Sequence, residues 1–108
     1  MTTTLTTTDL GRMATDDRWE GFGYLGERRN QLEAAATGEL PTDPTRMLVE
    51  ATDQRVIDFA NHRGLSYEEL FTWANGKKGR WFGDVMFGGS GRFDARWQEA
   101  VRHNLIPA

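Results

Sequence analysis

The chain has 108 residues, of which 38% are hydrophobic and 27% charged, with a formal net charge of −3 and no cysteine. This length accommodates one domain with a modest core, and the lack of cysteine excludes disulfides, zinc-finger frameworks and thiol chemistry. No apolar run approaches the roughly 18 residues that span a bilayer, and the opening MTTTLTTTDL lacks the pattern of a signal peptide. Arginine outnumbers lysine 11 to 2, which is typical of bacteria with GC-rich genomes and their phages. We therefore expect a cytoplasmic protein of a bacterial host cell, with no membrane partner.

The N-terminal residues are predicted to lie outside the folded core. Residues 1–9 are rich in threonine and are expected to form a flexible tail. A single helical domain is then expected over residues 10–108. The first predicted helix covers residues 25–36, where apolar residues recur at helical spacing, and Gly38 is its predicted C-terminal cap.

Asp43 followed by Pro44 predicts the start of the next helix, because a capping carboxylate precedes a residue that needs no amide partner. That helix is expected to reach residue 63, with a candidate break at Thr52–Asp53. No segment alternates as a strand does, so the predicted fold is all-α with about five helices. The remaining predicted helices cover residues 66–75, 78–87 and 92–104, the second weakened by its glycines.

Residues 21–26 read GFGYLG, which fits the G-x-G-x-x-G spacing of dinucleotide-binding loops. That fingerprint requires a buried strand before its first glycine and an acidic residue on a second strand about 20 residues later. The preceding LGRMATDDRWE carries five charges and no strand pattern. We expect no nucleotide and no other small-molecule cofactor here. The glycines are predicted to let the backbone bend so that four apolar residues turn inward, namely Trp19, Phe22, Tyr24 and Leu25.

The sequence carries no pattern typical of catalysis or of metal binding. Its two histidines, His62 and His103, are linked to no nucleophile by spacing, and no metal-ligand motif is present. The paired acids Asp16–Asp17 and Glu68–Glu69 lie near predicted helix starts, where negative charge is favourable. We expect neither enzymatic activity nor a bound metal.

The segment RVIDFANHRGLSYEELFTWANG, within the helical pair predicted at 53–75, resembles the helix-turn-helix motif over about 20 residues. Ala60 stands where the two helices cross and Gly64 stands at the turn. Apolar residues follow at the positions that plug such a pair, namely Leu65, Leu70 and Trp73.

The resemblance implies that duplex DNA would face the start of the second helix. Glu68 and Glu69 would then meet phosphates, which is unfavourable, although Glu can accept a hydrogen bond from cytosine. A DNA-binding regulator is therefore the alternative function. Its candidate DNA-reading residues are Arg63, Ser66, Tyr67, Glu68 and Thr72.

The last third of the chain is basic and aromatic. Residues 1–75 carry a net charge of −6 and residues 76–108 a net charge of +3, and eight of the twelve aromatics lie between Tyr67 and Trp97. Core packing, a protein interface and stacking on single-stranded bases are all compatible with this pattern. Trp73 and Trp97 extend apolar helical stripes and are predicted to be core. The candidate partner-surface residues are Lys77, Lys78, Arg80, Trp81, Arg92 and Arg96.

The sequence as a whole indicates a small non-enzymatic binding module of bacterial or phage origin. We expect its partner to be another protein, for which it would act as a regulator, an inhibitor or an assembly adaptor. Duplex DNA is the less favoured partner, because the net charge is acidic and two acids occupy the would-be recognition helix.

Overall fold

The protein is all-helical, as predicted. A computed structural model describes residues 4–107, which hold six helices and no strand. None of these helices is long and apolar enough to cross a membrane. The helices are α1 (Thr7–Ala14), α2 (Gly23–Ala36), α3 (Thr42–His62), α4 (Tyr67–Ala74), α5 (Lys77–Gly88) and α6 (Phe93–Arg102).

Helix α1 was not predicted, and it includes residues 7–9 of the predicted flexible tail. The Asp9 carboxylate accepts a hydrogen bond from the backbone N–H of Thr6 (2.9 Å), which caps the helix start. Leu5 is buried and held by the Asn61 side chain, which bonds both its N–H and its carbonyl oxygen at 2.9 Å. Residues 1–3 of the predicted tail lie outside the described residues.

Helix α3 passes through Thr52 and Asp53 without the break that the sequence suggested. The Thr52 hydroxyl donates to the carbonyl oxygen of Leu48 (2.7 Å), so it adds to the helical ladder without interrupting it. The predicted glycine turns are present, with Gly38 at φ +81° after α2 and Gly64 at φ +69° after α3. The left-handed backbone at these two positions explains why glycine ends each helix.

Helices α2 and α5 make the most extensive helix contact in the fold, and α5 turns glycines toward α2. A Cβ atom on Gly79 would clash with the Trp73 carbonyl oxygen and lie 3.1 Å from the Tyr24 nitrogen. A Cβ atom on Gly83 would lie 2.6 Å from the Cβ of Glu27. The two glycines thus allow a backbone separation that no larger residue permits.

An aromatic cluster centred on Phe82 fills the core between these helices. The ring centroid of Phe82 lies 5.3 Å from that of Trp73, 5.5 Å from that of Tyr24 and 5.6 Å from that of Trp97, all edge-on. The indole N–H of Trp73 donates to the Leu105 carbonyl oxygen (2.8 Å), which ties the C-terminal segment to the core. Both Trp73 and Trp97 are buried, so their predicted core positions are confirmed.

Candidate functional site

Helix α5 presents four of the six candidate partner residues on its outward side. Trp81 lies three and four positions after Lys78 and Lys77, so the side chains of these three residues are neighbours on the helix. All four are exposed, whereas the opposite face of the helix is buried. The α5 surface, as we call it, consists of Lys77, Lys78, Arg80 and Trp81.

Trp81 is the largest exposed apolar side chain of this surface, with 51% of its area accessible. By contrast, Trp73 and Trp97 are 8% and 6% exposed. Within residues 4–107 no aromatic ring or arginine side chain stacks on Trp81. The indole therefore makes no stacking contact that would explain its presence.

The cations around Trp81 lack close acidic partners in the described part of the chain. Lys77 and Lys78 form no ion pair there, and the carboxylate paired with Arg80 belongs to Glu27, 3.9 Å away. Burial raises the pKa of Glu27 and the neighbouring Asp84 raises it further, while Arg80 lowers it. The α5 surface therefore carries three positive charges, with Glu27 and Asp84 near Arg80 and with Glu69 near Lys77 and Lys78.

The structure separates Arg92 and Arg96 from the other four candidate residues. Both follow the C-terminal end of α5, about 16 Å along the helix axis from Lys77 at 1.5 Å per residue. Arg96 donates from Nη1 to the Met86 carbonyl oxygen (2.9 Å), which satisfies a carbonyl at the end of α5. Arg92 is exposed and precedes α6. Four of the six candidate residues thus lie on α5 and the other two lie at the start of α6.

The helix-turn-helix-like pair is present as α3 and α4. Ala60 is fully buried, and Leu65, Leu70 and Trp73 are buried as the motif requires. Helices α3 and α4 contact each other little, however, and α4 packs against α2 and α5. Helix α4 has only eight residues, and its outward stripe consists of Glu68, Glu69 and Thr72.

The candidate DNA-reading residues are largely engaged within the protein. Glu68 accepts from Arg18 Nη1 (2.7 Å), and the Thr72 hydroxyl donates to the Glu68 carbonyl oxygen (2.9 Å). Ser66 caps α4, accepting from the Glu69 N–H while its own N–H donates to the Glu69 carboxylate. The guanidinium groups of Arg12 and Arg63 lie over the rings of Tyr67 (5.5 Å) and Phe59 (5.3 Å) respectively. The face of α4 that DNA would meet therefore carries two carboxylates, those of Glu68 and Glu69.

The middle glycine of GFGYLG serves helix packing. Gly23 has φ +75°, and a Cβ atom there would clash with the carbonyl group of Ala74, so only glycine lets α2 begin against the end of α4. Tyr24 turns inward as predicted. The same expectation was wrong for Phe22, which is 59% exposed, because α2 begins at Gly23 and Phe22 precedes its first buried turn.

A buried polar junction joins α2 to α3, and sequence reasoning missed it. The Tyr24 hydroxyl donates to Asp53 Oδ1 (2.5 Å), and Arg28 Nε donates to Asp53 Oδ2 (2.8 Å). Burial raises the pKa of Asp53, although Arg28 and the Tyr24 hydrogen bond both lower it. Burial also raises the pKa of Tyr24 well above its usual value. The available signal was the four-residue spacing of Tyr24 and Arg28, which places them on one face of α2.

A cleft of about 680 Å³ opens above this junction, between α1 and α3. Thr7, Thr8 and Gly11 line its α1 wall, and Glu50 lines its α3 wall. Gly11 has open space where a Cβ would lie, which widens the cleft. Residues 4–107 contain no group of three His, Asp or Glu residues that could hold a metal ion.

Comparison with known proteins finds no family model, no curated protein and no solved structure that matches the chain. The fold defines its class as a single small all-α domain. Because a fold of this kind does not specify an activity, function has to be argued from the exposed side chains themselves.

Proposed function

We propose that the protein is a small non-enzymatic binding module whose α5 surface binds an acidic surface of another protein. The observation that carries the proposal is Trp81, half exposed and without a stacking partner, among Lys77, Lys78 and Arg80. Tryptophan and arginine are enriched among the residues that dominate binding energy in protein interfaces.

Each side chain of the α5 surface has a distinct expected role. Trp81 would enter an apolar pocket of the partner, where desolvation of the indole supplies most of the binding energy. Lys77 and Lys78 would face acidic residues around that pocket and increase the association rate. Arg80 would add bidentate hydrogen bonds to a carboxylate, which its planar guanidinium is suited to make.

A protein partner is favoured over nucleic acid by the surroundings of the α5 surface. Glu69 lines the same shallow groove as Lys77 and Lys78, together with Thr72 and Ile106. A phosphate backbone running along this groove would meet the carboxylate, and residues 1–75 add a net charge of −6. An acidic protein surface can instead arrange its charges around Trp81 and avoid Glu69. A regulator, an inhibitor and an assembly adaptor are all modules that act in this way.

The test is affinity capture from a bacterial lysate with and without nuclease, followed by a binding measurement with the purified captured protein. We expect Trp81→Ala to weaken that binding by about 2 kcal/mol or more. The double variant Lys77→Ala/Lys78→Ala should mainly slow association and reduce its dependence on salt. Met47→Ala is the matched control, because Met47 is 67% exposed on α3, away from the α5 surface.

Capture that disappears with nuclease would contradict the proposal, and so would equal binding by wild type and Trp81→Ala. The DNA alternative has its own measurement, fluorescence anisotropy with duplex DNA at physiological salt. We expect no specific binding tighter than about 10 µM, within the usual non-specific range. Sequence-selective nanomolar binding that is lost on substitution of Tyr67 or Thr72 would establish DNA reading by α4 instead.

A further inference from the structure

The cleft between α1 and α3, which we call the α1–α3 cleft, is lined by Arg28, whose side chain is held in place by a hydrogen bond to the buried Asp53. Arg28 uses Nε to bond Asp53 (2.8 Å), and Asp53 is held in turn by the Tyr24 hydroxyl. Only 19% of the Arg28 side chain is exposed. Its Nη1 and Nη2 atoms have no hydrogen-bond acceptor within residues 4–107. The guanidinium is therefore oriented by a buried pair while its outer edge keeps free donors.

One carboxylate of the cleft is also free. Glu50 is exposed and forms no ion pair in the described part of the chain. It lies one helical turn before Asp53 on α3 and lines the same cleft, so the two acids are close together. Glu50, Asp53 and Arg28 also border a second, smaller cleft between α2 and α3, of about 370 Å³. Glu50 and Arg28 thus line the same two clefts without forming an ion pair with each other.

The other charges of the cleft are already matched. The Arg12 guanidinium pairs with Asp9 at 3.1 Å, and Asp53 pairs with Arg28. What remains unmatched is a donor edge on Arg28 and an acceptor carboxylate on Glu50. A dianion such as phosphate would be repelled by Glu50 and Asp53, and a simple amine would leave the Arg28 edge unused.

We propose that the α1–α3 cleft binds a small zwitterion of the α-amino acid class, with its carboxylate on the outer edge of Arg28 and its ammonium on Glu50. Arginine is the residue best shaped to hold a carboxylate through two parallel hydrogen bonds. The threonine hydroxyls of the α1 wall offer further polar contacts, and a volume of about 680 Å³ lies in the range of small-molecule sites. This site is separate from the α5 surface and independent of its proposed role.

The experiment is a ¹H–¹⁵N NMR titration of the whole protein with each of the 20 free amino acids up to about 20 mM, with acetate and ethylamine as half-ligands. We expect at least one amino acid to give saturable shifts centred on the amides of Thr7, Thr8 and Gly11. Acetate and ethylamine should each bind at least about tenfold more weakly, because each makes only one of the two charged contacts.

Two variants separate ligand binding from a structural role of the junction. Glu50→Gln removes an exposed charge that no fold contact uses, and it should weaken binding more than about tenfold with an unchanged spectrum elsewhere. Arg28→Lys keeps a cation near Asp53 but removes the planar edge, and it should have a similar effect on binding. Glu33→Gln is the matched control, since Glu33 is an exposed acid on α2 outside the cleft.

Three results would each overturn the proposal: no amino acid shifts these amides, acetate binds as tightly as the amino acids, or Glu50→Gln binds as tightly as wild type. If Arg28→Lys fails to fold, Glu50→Gln alone decides the outcome, because its side chain lies at the surface.

Discussion

The two faces of α5 differ strongly in burial and packing. Phe82 is completely buried and touches three aromatic rings, whereas Trp81, the preceding residue, is 51% exposed and touches none of them. On the inward face even a methyl group at Gly79 would collide with backbone. Steric contacts therefore restrict which residues can occupy the inward face, whereas the outward face tolerates many residue types.

This difference indicates where selection for function could act at little cost to folding. The exposed Lys77 and Lys78 contribute little to the free energy of unfolding, since surface side chains outside special contacts typically change it by about 0.5 kcal/mol or less. The half-exposed Trp81 contributes less than a fully buried ring does. Under the proposed function, these residues are the ones that bind the partner. The following predictions test the contrast between the two faces.

The largest expected effect is that of Phe82→Ala. Removing this fully buried ring leaves a cavity among Tyr24, Trp73 and Trp97, which should lower the free energy of unfolding by about 3–5 kcal/mol. That is a large fraction of the stability of a domain this small. Chemical denaturation monitored by circular dichroism measures it. A loss below about 1 kcal/mol would show that the inward face is not tightly packed.

Gly79→Ala should come next. The added Cβ would meet the Trp73 carbonyl oxygen and the Tyr24 backbone, so we expect a loss of about 1–3 kcal/mol despite the better helix propensity of alanine. Gly88→Ala is the control on the same helix, because no atom lies within 4 Å of the position that its added methyl group would occupy. It should be neutral or stabilising by up to about 1 kcal/mol. Equal effects at both glycines would remove the steric argument for the α2–α5 contact.

Trp81→Ala should lower stability far less than Phe82→Ala. Because half of the indole is exposed, we expect a loss of about 1 kcal/mol by the same denaturation measurement, together with the loss of partner binding described above. The comparison with Phe82→Ala is direct because the two residues are adjacent in the chain. If Trp81→Ala instead costs about 2 kcal/mol or more, the indole belongs to the fold and the proposed α5 surface loses its central residue.

The smallest expected effects concern the pH dependence of stability. One buried carboxyl group, Asp53, and one surface carboxyl group, Asp16, should show it with opposite signs. The pKa of Asp53 is raised above 3.8 by burial, whereas hydrogen bonds from Arg18 lower the pKa of Asp16 to about 2. Asp16 therefore adds stability above pH 3.8 that is lost as the pH falls toward 2. Asp53 acts in the opposite direction, because its ionisation costs stability as the pH rises from 3.8 through its folded pKa.

Carbon-detected NMR titration of the two carboxyl groups measures both pKa values. Arg18→Gln should return the pKa of Asp16 toward 3.8, because Arg18 supplies the hydrogen bonds that lower it. The same variant should leave the pKa of Asp53 unchanged, since Arg18 does not contribute to it. A normal pKa for Asp53 would mean that water reaches the junction.

Local sequence determined most of the helices because their signals lie within one or two turns. Helical spacing located five of the six, and Gly38, Gly64 and Ser66 marked their ends through backbone preferences and caps. The core positions of Trp73 and Trp97 followed from the same spacing. The sequence did not predict helix α1, because the segment before it is held by a contact between Leu5 and Asn61, 56 residues away. A threonine-rich segment gives no local sign of that contact.

Only the tertiary structure decided which polar and aromatic side chains face inward. Asp53 appeared to be a helix break and is instead buried, because Tyr24 and Arg28 reach it from another helix. The sequence determined by itself that the last third of the chain is basic and aromatic, and it grouped six residues as one candidate surface. The fold separates that group, because the rotation of α5 against α2 turns Trp81 outward, and the length of α5 places Arg92 and Arg96 at its far end. Composition and periodicity specify neither which side of α5 faces α2 nor where Arg92 and Arg96 lie relative to α5. Both depend on contacts between residues distant in the chain.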